Sequence, residues 1–411
     1  MLPLAGIKVI EFTNILSGPF CGMLLADMGA DVVKVEKPSG DDMRFWPPIT
    51  DGYSENFASV NRNKRSIAMD LKSADDRALA RELCAGADVI IENNRGGVMD
   101  RLGLGYADIK ALNPAIIYCS INAFGSQGPY ANRGGFDLVI QAESGIMSVT
   151  GEDAPVKCGV PISDTATGLY GAFAIAAALR EVASTGQGVH IDASMLGASL
   201  GISALQTSEF FGAGKSSPRM GSRHPRNAPY QAFKASDGFF CIAAGNDKLY
   251  RDVCLQVGMP ELIEHPDYKS TALRAKNQAA LADILAVPFL TKTADEWIRI
   301  FGECGVPCGL TIRAGARSSV QVRHCGWVQD TTLPNGVRTK TFGSPDPPSD
   351  SPVGEDPASM PPALDEHGAQ IRAGGGSGRA LRGLAGEAAR PGSGADSVMN
   401  RRPECPGSHR M

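Results

Sequence analysis

The chain has 411 residues, 43% of them hydrophobic, and a formal net charge of −4. That length supports two or three domains, each with its own core, and the near-neutral balance argues against nucleic acid as the main partner. No apolar run in the sequence reaches the roughly 18 residues of a bilayer span and the start lacks a leader pattern, so no membrane partner and a cytoplasmic location are expected.

The opening reads as strand 8–12, loop 13–18, helix 19–28 and strand 31–36, with Pro19 suited to a first helical turn and Gly29 to the stop. Such a βαβ unit pairs its strands in parallel. A second cycle runs through strand 66–71, a helix that Ser73 and Asp76 would open as a capping box, and strand 88–92. A further strand, 115–120, follows a short helix at 107–112. Then come a small-residue helix opened by Asp164, strand 188–192 and an apolar helix from 195 to about 211. This alternation predicts an α/β class: a Rossmann-like large domain over 1–211 with a parallel sheet covered on both faces.

Residues 212–229 turn to Gly, Lys, Ser, Arg and Pro, a linker. A smaller α+β domain is expected over 230–309, with a hairpin at 230–244, helices at 247–257, 277–290 and 294–304, and Thr293 with Glu296 as a capping box. Residues 310–373 begin without a clear period and then show two strands joined by a turn near 326–339. From 374 to 411 the composition is Gly, Ala, Arg and Ser, which cannot build a core, so disorder is expected. The ten cysteines are scattered, and the closest pair, Cys304 and Cys308, has no second ligand pair beside it; free thiols and no metal site are expected.

Asp164 precedes the run Gly168, Gly171, Ala172, Ala174 and is first of all a helix N-cap, held ionised by the orphan amides and the helix dipole. A charged carboxylate at a helix end that small residues leave approachable also suits a covalent nucleophile toward an activated acyl group. The loop 13–19 has only Gly18 and Gly22 in range of a dinucleotide fingerprint, so a nicotinamide or flavin cofactor is not expected. Lys37, Lys72, Asn93 and Arg95 follow strands whose carboxyl ends share one edge, and Arg101 lies just beyond. Singly they read as solvated loop residues; together with Leu16 and Ser17 they suit a nucleotide carrying several phosphates. Gly245, before Asn246 and Asp247, fits either a mobile loop over a site or the start of a capped helix. No Gly-x-Ser-x-Gly motif is present, and His190 reads as a buried, hydrogen-bonded strand residue.

Several stretches in one order carry a resemblance: Pro3-Leu4-Ala5-Gly6-Ile7-Lys8-Val9, Leu16-Ser17-Gly18-Pro19, Gly29-Ala30-Asp31-Val32-Val33-Lys34-Val35-Glu36, Asn61-Arg62-Asn63-Lys64-Arg65-Ser66, Glu92-Asn93-Asn94-Arg95, Ser126-Gln127-Gly128-Pro129 and Asp164-Thr165-Ala166-Thr167-Gly168. The chain resembles the class III coenzyme A-transferase family from its start to about Gly309. The resemblance implies a two-domain subunit with both ends in the large domain, interlocked with a second copy as a homodimer. It implies Asp164 as the nucleophile that passes from an aspartyl anhydride to an aspartyl-CoA thioester, with the Gly245 loop helping to stabilise the oxyanions. It also implies coenzyme A binding at Leu16, Ser17, Lys37, Met69, Lys72, Asn93, Asn94, Arg95 and Arg101, with acyl-CoA and a small carboxylic acid as substrates and no permanently bound cofactor. Asn94 and Gly96 depart from the family's aromatic residue and proline. Related racemases carry a histidine where this chain has Phe136, which ranks transferase above racemase. Arg223, His224 and Arg226 suit a dicarboxylate, although exposed linker charges are commoner. Residues 310–320 and those beyond about 373 depart from the family pattern and are expected to be read out of frame, which makes an inactive remnant the competing reading.

Overall fold

The computed structural model describes residues 2–311, 319–343, 361–368 and 370. Six strands form the main sheet: β1 (Lys8–Phe12), β2 (Asp31–Glu36), β3 (Lys64–Ala68), β4 (Val89–Glu92), β5 (Ile117–Asn122) and β6 (His190–Ser194). All pair in parallel, in the order β3-β2-β1-β4-β5-β6. The central strands carry Val and Ile runs because both of their faces are covered. On one face Ile10, Val33, Ile67 and Ile90 pack with Ala80, Leu83 and Cys84 of the helix Ala74–Ala85. On the other, Val9, Val32, Val89 and Ile117 pack with Cys21 and Leu25 of α1 (Ser17–Asp27) and Ile175 and Ala178 of α2 (Ile162–Thr185). The strand order reverses between β1 and β4, which opens a crevice at their carboxyl ends where ligands of doubly wound sheets bind.

The smaller unit has an antiparallel sheet of β7 (Tyr230–Lys234), β8 (Phe239–Ala243) and β9 (Cys308–Leu310), ordered β9-β8-β7. Phe233, Phe240, Phe289, Trp297 and Phe301 are buried at its centre. The capping box of Thr293 and Glu296 is present in both directions. The chain then returns to the large sheet along the free edge of β3. His367 donates its N–H to the Ser66 carbonyl at 3.1 Å, and the Asp365 carboxylate accepts the Ala68 N–H at 2.8 Å. Arg44 and Tyr53 donate to the Pro362 carbonyl from the other side. The out-of-frame expectation falls largely on 312–318 and on 371–411, and the disordered-tail expectation on 374–411; these lie outside the described residues.

Several local expectations give way to tertiary structure. Ser73 makes no side-chain cap bond, and the Asp76 carboxylate accepts the Asp70 N–H at 2.8 Å in place of that of Ser73. The helix expected over 195–211 breaks at Ser203 into Met195–Ile202 and Ala204–Ala213. Helix α2 corrects the membrane-length estimate: it runs for 24 residues and reaches a mean hydropathy of 1.2, enough for a span by length and composition. One side of it packs on α1 and the sheet, while Leu169, Tyr170 and Phe173 are exposed on the other.

Candidate active site

Asp164 does not cap its helix. Helix α2 begins two residues earlier, at Ile162, and the preceding Pro161 has no side chain able to accept from the first-turn amides. Asp137 supplies the cap from 27 residues upstream: its Oδ1 accepts the N–H of Ser163 at 2.9 Å and that of Asp164 at 3.5 Å. Its Oδ2 accepts from Gln141 Nε2 at 2.6 Å, and the fully buried Gln141 accepts in turn from the Cys158 N–H at 2.8 Å. The Asp164 carboxyl is thereby left free, half-buried in the first turn, with Ser17 beside it as the group that lowers its pKa.

The expectation that Asp164 is held ionised is overturned with the cap. Burial pushes its carboxyl up, the like charge of Asp137 adds to the rise, and the Ser17 hydrogen bond opposes both; the balance lies at about 7. Asp137→Asn keeps the accepting oxygen and removes the charge, so Asp164 should titrate below 7, whereas Ser17→Ala should move it higher. Carbon-13 NMR titration of the Asp164 carboxyl in the two variants measures the opposed shifts, and shifts of the same sign would refute this account.

Glycine brings Ser17 and Asp164 together. A Cβ at Gly168, one turn beyond Asp164, would stand 2.9 Å from the Ser17 carbonyl oxygen and 2.9 Å from Phe20 Cδ1; one at Gly171 would stand 3.2 Å from Cys21 Sγ. Helices α1 and α2 therefore meet nearly backbone to backbone. The loop before α1 is clasped to the loop after β4 by two bonds, Asn14 N–H to Asn93 Oδ1 at 2.9 Å and Asn93 Nδ2 to the Asn14 carbonyl at 2.8 Å. Asn94 ties the same place, its side chain donating to the Phe12 carbonyl at 3.2 Å and its N–H to Glu92 at 2.8 Å. The carboxyl, the first turn of α1 and these loops all meet at the reversal of strand order.

Residues 4–368 match the family model described as CoA-transferase family III. The chain belongs to that family. It is 40% identical over 339 residues to the succinyl-CoA:glutarate CoA-transferase of Mus musculus, a match that covers 81% of this chain and 78% of that one. It is 37% identical over 387 residues to the succinate–glutarate CoA-transferase of Agrobacterium fabrum, covering 90% and 95%. Among solved structures, a CaiB/BaiF family protein from Brucella suis superposes with a TM-score of 0.82 at 41% identity, over 90% of this chain and 99% of that one. The protein is a CoA-transferase, and CoA thioesters are the substrates of such enzymes.

In this CoA-transferase the positions expected to hold coenzyme A fall into different settings. Leu16, Ser17, Asn93 and Asn94 meet at the crevice, Leu16 as the residue before α1, with no side-chain cap bond of its own. Lys72, Arg95 and Arg101 follow strand ends with exposed side chains. Lys37 is exposed too, but its ammonium is paired with Asp42 at 2.5 Å. Met69 turns its side chain into the core beside Ile67 and leaves only backbone at the edge, where its N–H donates to the Glu36 carbonyl at 2.8 Å. A Cβ at Gly245 would meet only Asn227 within 4 Å. Arg223 is paired with Glu152 at 2.8 Å. His190 is not buried: it stands exposed on the edge strand β6, 3.0 Å from Ser120 Oγ.

Asp137 and Gln141 were not singled out by the sequence reading. Attention there rests on Phe136, which is 76% exposed, while the carboxylate that touches the α2 amides is its neighbour. The available signal was an acid two residues after Gly135, at the start of an apolar helix with Gln at i+4.

Proposed function

We propose that the enzyme moves coenzyme A from a short dicarboxylic acyl-CoA, such as succinyl-CoA, to a second dicarboxylic acid of similar length, through covalent intermediates on Asp164. The observation that carries this is the uncapped, half-buried Asp164 carboxyl poised near neutrality beside the first turn of α1. A carboxylate with so high a pKa is a better nucleophile than an ordinary one and remains substantially ionised at physiological pH. The substrate class rests on the activities for which the Mus musculus and Agrobacterium fabrum relatives are named.

The steps balance without any further reagent. The Asp164 carboxylate attacks the thioester carbonyl and expels CoA thiolate, leaving a mixed anhydride. The thiolate then attacks the aspartyl carbonyl, releasing the donor acid and forming an aspartyl-CoA thioester. The acceptor carboxylate displaces the thiolate to form a second anhydride, and the thiolate attacks the acceptor's acyl carbon, which frees Asp164 and the new acyl-CoA. Each tetrahedral oxyanion needs donors, and the amides of Ser17 and Gly18 in the first turn of α1, which no side chain caps, are backbone candidates. Leu169, Tyr170 and Phe173 on α2 and Leu205, Phe210 and Phe211 on Ala204–Ala213 are exposed in the single chain, a surface that supports a homodimer; a sedimentation mass equal to one chain would remove that part of the reading.

Incubation with succinyl-CoA, rapid quenching, hydroxylamine trapping and peptide mass spectrometry test the chemistry. The hydroxamate is expected on the peptide carrying Asp164 and nowhere else. Steady-state transfer with no Asp164 adduct at any quench time would sink the covalent route.

A further inference from the structure

Beneath the loop that carries Ser17 lies a quartet of charges with no solvent access, drawn from three strands and one loop. In parallel register Glu11 of β1 stands beside Lys34 of β2, both facing α1. Lys64 opens β3, and Asp41 lies in the loop after β2. All four side chains are completely buried. Lys34 Nζ lies 3.0 Å from Asp41 and 3.5 Å from Glu11, and Lys64 Nζ 2.9 Å from Glu11. Two cations and two anions leave the group neutral; Lys64 also donates to Asn61 Oδ1 at 3.0 Å and Asp41 Oδ1 also accepts the Met43 N–H at 2.9 Å, and further bonds reach the segment from Thr13 to the first turn of α1. Lys34 donates to the Thr13 carbonyl at 2.7 Å, Lys64 to the Pro19 carbonyl at 2.8 Å, and both oxygens of Asp41 accept the Ile15 N–H at 3.2 Å.

Those three backbone atoms bracket a strained residue. Ile15 has φ of +68°, a left-handed conformation that a β-branched side chain adopts only under constraint. Two residues on is Ser17, whose carbonyl lies against Gly168, one turn beyond Asp164, and whose hydroxyl lowers the Asp164 pKa. A Cβ at Gly22 would stand 1.9 Å from Glu11 Oε2, so α1 rests directly on the quartet. Buried ion groups give no reliable gain in stability over apolar packing, so tying three backbone atoms between Thr13 and Pro19 points to a different use.

We propose that Glu11, Lys34, Asp41 and Lys64 are positioning residues for the transfer reaction: they hold Ile15 in its left-handed conformation and so fix the Ser17 hydroxyl against Asp164. The proposal rests on Asp164 as the reacting carboxylate. The groups facing that carboxyl are Ser17 from α1 and Asp137 from the helix Asp137–Glu143; the quartet acts through the loop. Without the Asp41 anchor, Ile15 relaxes toward negative φ and Ser17 leaves.

The test uses the full chain. Asp41→Ala, which removes both accepting oxygens, is expected to lower kcat/KM by about tenfold to a hundredfold, the loss that small misplacements of reacting groups produce. It should raise the pH at which Asp164 titrates, as Ser17→Ala does, and the double variant should move it no further. Ile15→Gly, for which positive φ carries no strain, should restore most of the loss in the Asp41→Ala background, a rescue that a merely structural role would not allow. Where Asp41→Ala does not fold, Asp41→Glu keeps the charge, displaces the Ile15 contact and should shift the titration the same way. A folded Asp41 variant with wild-type Asp164 titration, or no rescue by glycine, overturns the proposal. Because the carboxyl is titrated in enzyme free of substrate, the outcome is separate from the trapping experiment: a shifted Asp164 with no adduct fails the nucleophile and leaves the positioning intact, and an adduct with no shift does the reverse.

Discussion

Asp164→Asn is expected to end turnover and to stabilise the folded enzyme above neutral pH. Removing a covalent nucleophile costs on the order of 10⁴- to 10⁶-fold in kcat, and the asparagine amide offers no carboxylate to form the anhydride. The stability change has the opposite sign for a separate reason. The Asp164 carboxyl titrates at about 7 in the fold against 3.8 for an ordinary aspartate, so the fold favours its protonated form. Its contribution to stability is whole below about 3.8 and is lost as pH rises through about 7. At full development that loss is at most roughly 4 kcal/mol, and less where water reaches the site. The neutral asparagine escapes it. Melting temperatures of the two proteins should coincide near pH 4 and diverge by pH 8 in favour of the variant. A variant less stable than the parent at pH 8 would show that the site does not disfavour the charge.

How far the sequence revealed this site depends on which residues bring it together. The strands were legible because their apolar runs are covered on both faces, and Gly168 and Gly171 were legible as places of close approach. The partner in that approach was not, because contact between α1 and α2 depends on strand order. Asp164 stood out as an acid near a helix start, yet its role as a cap belonged to Asp137, a residue of another helix. Lys64 stands in the basic stretch Asn61-Arg62-Asn63-Lys64-Arg65 and yet lies wholly buried against Glu11. A lysine within a strand looks solvated until the register places Lys34 beside Glu11. Local rules succeeded where the bond was local, as at Thr293 and Glu296, and failed at Ser73, whose expected partner was taken by Asp70.

The same dependence on helix approach makes Gly168→Ala the second large effect. Alanine favours helix over glycine by about 1 kcal/mol, so at a tolerant position the change stabilises. Here two of the three atoms nearest the new methyl are backbone, the Ser17 carbonyl oxygen at 2.9 Å and the Cys21 nitrogen at 3.2 Å, and neither can turn aside. Helix α1 must withdraw, with an overpacking cost of roughly 1–3 kcal/mol, and it carries Ser17 away from Asp164. The acylation rate by succinyl-CoA should fall about a hundredfold, and Asp164 should titrate at higher pH. Gly171→Ala is the internal control, one turn along the same helix. Its new methyl would meet two thiols, Cys21 Sγ at 3.2 Å and Cys119 Sγ at 3.7 Å, and side chains of that kind can rotate. It should keep most of the activity and lose little or no stability. Stopped-flow acylation and urea unfolding of the pair separate the two outcomes. Equal acylation rates in both variants would mean that the spacing of α1 and α2 does not set the geometry of the reaction, and the hydroxyl of Ser17 would then reach Asp164 by virtue of its own loop alone.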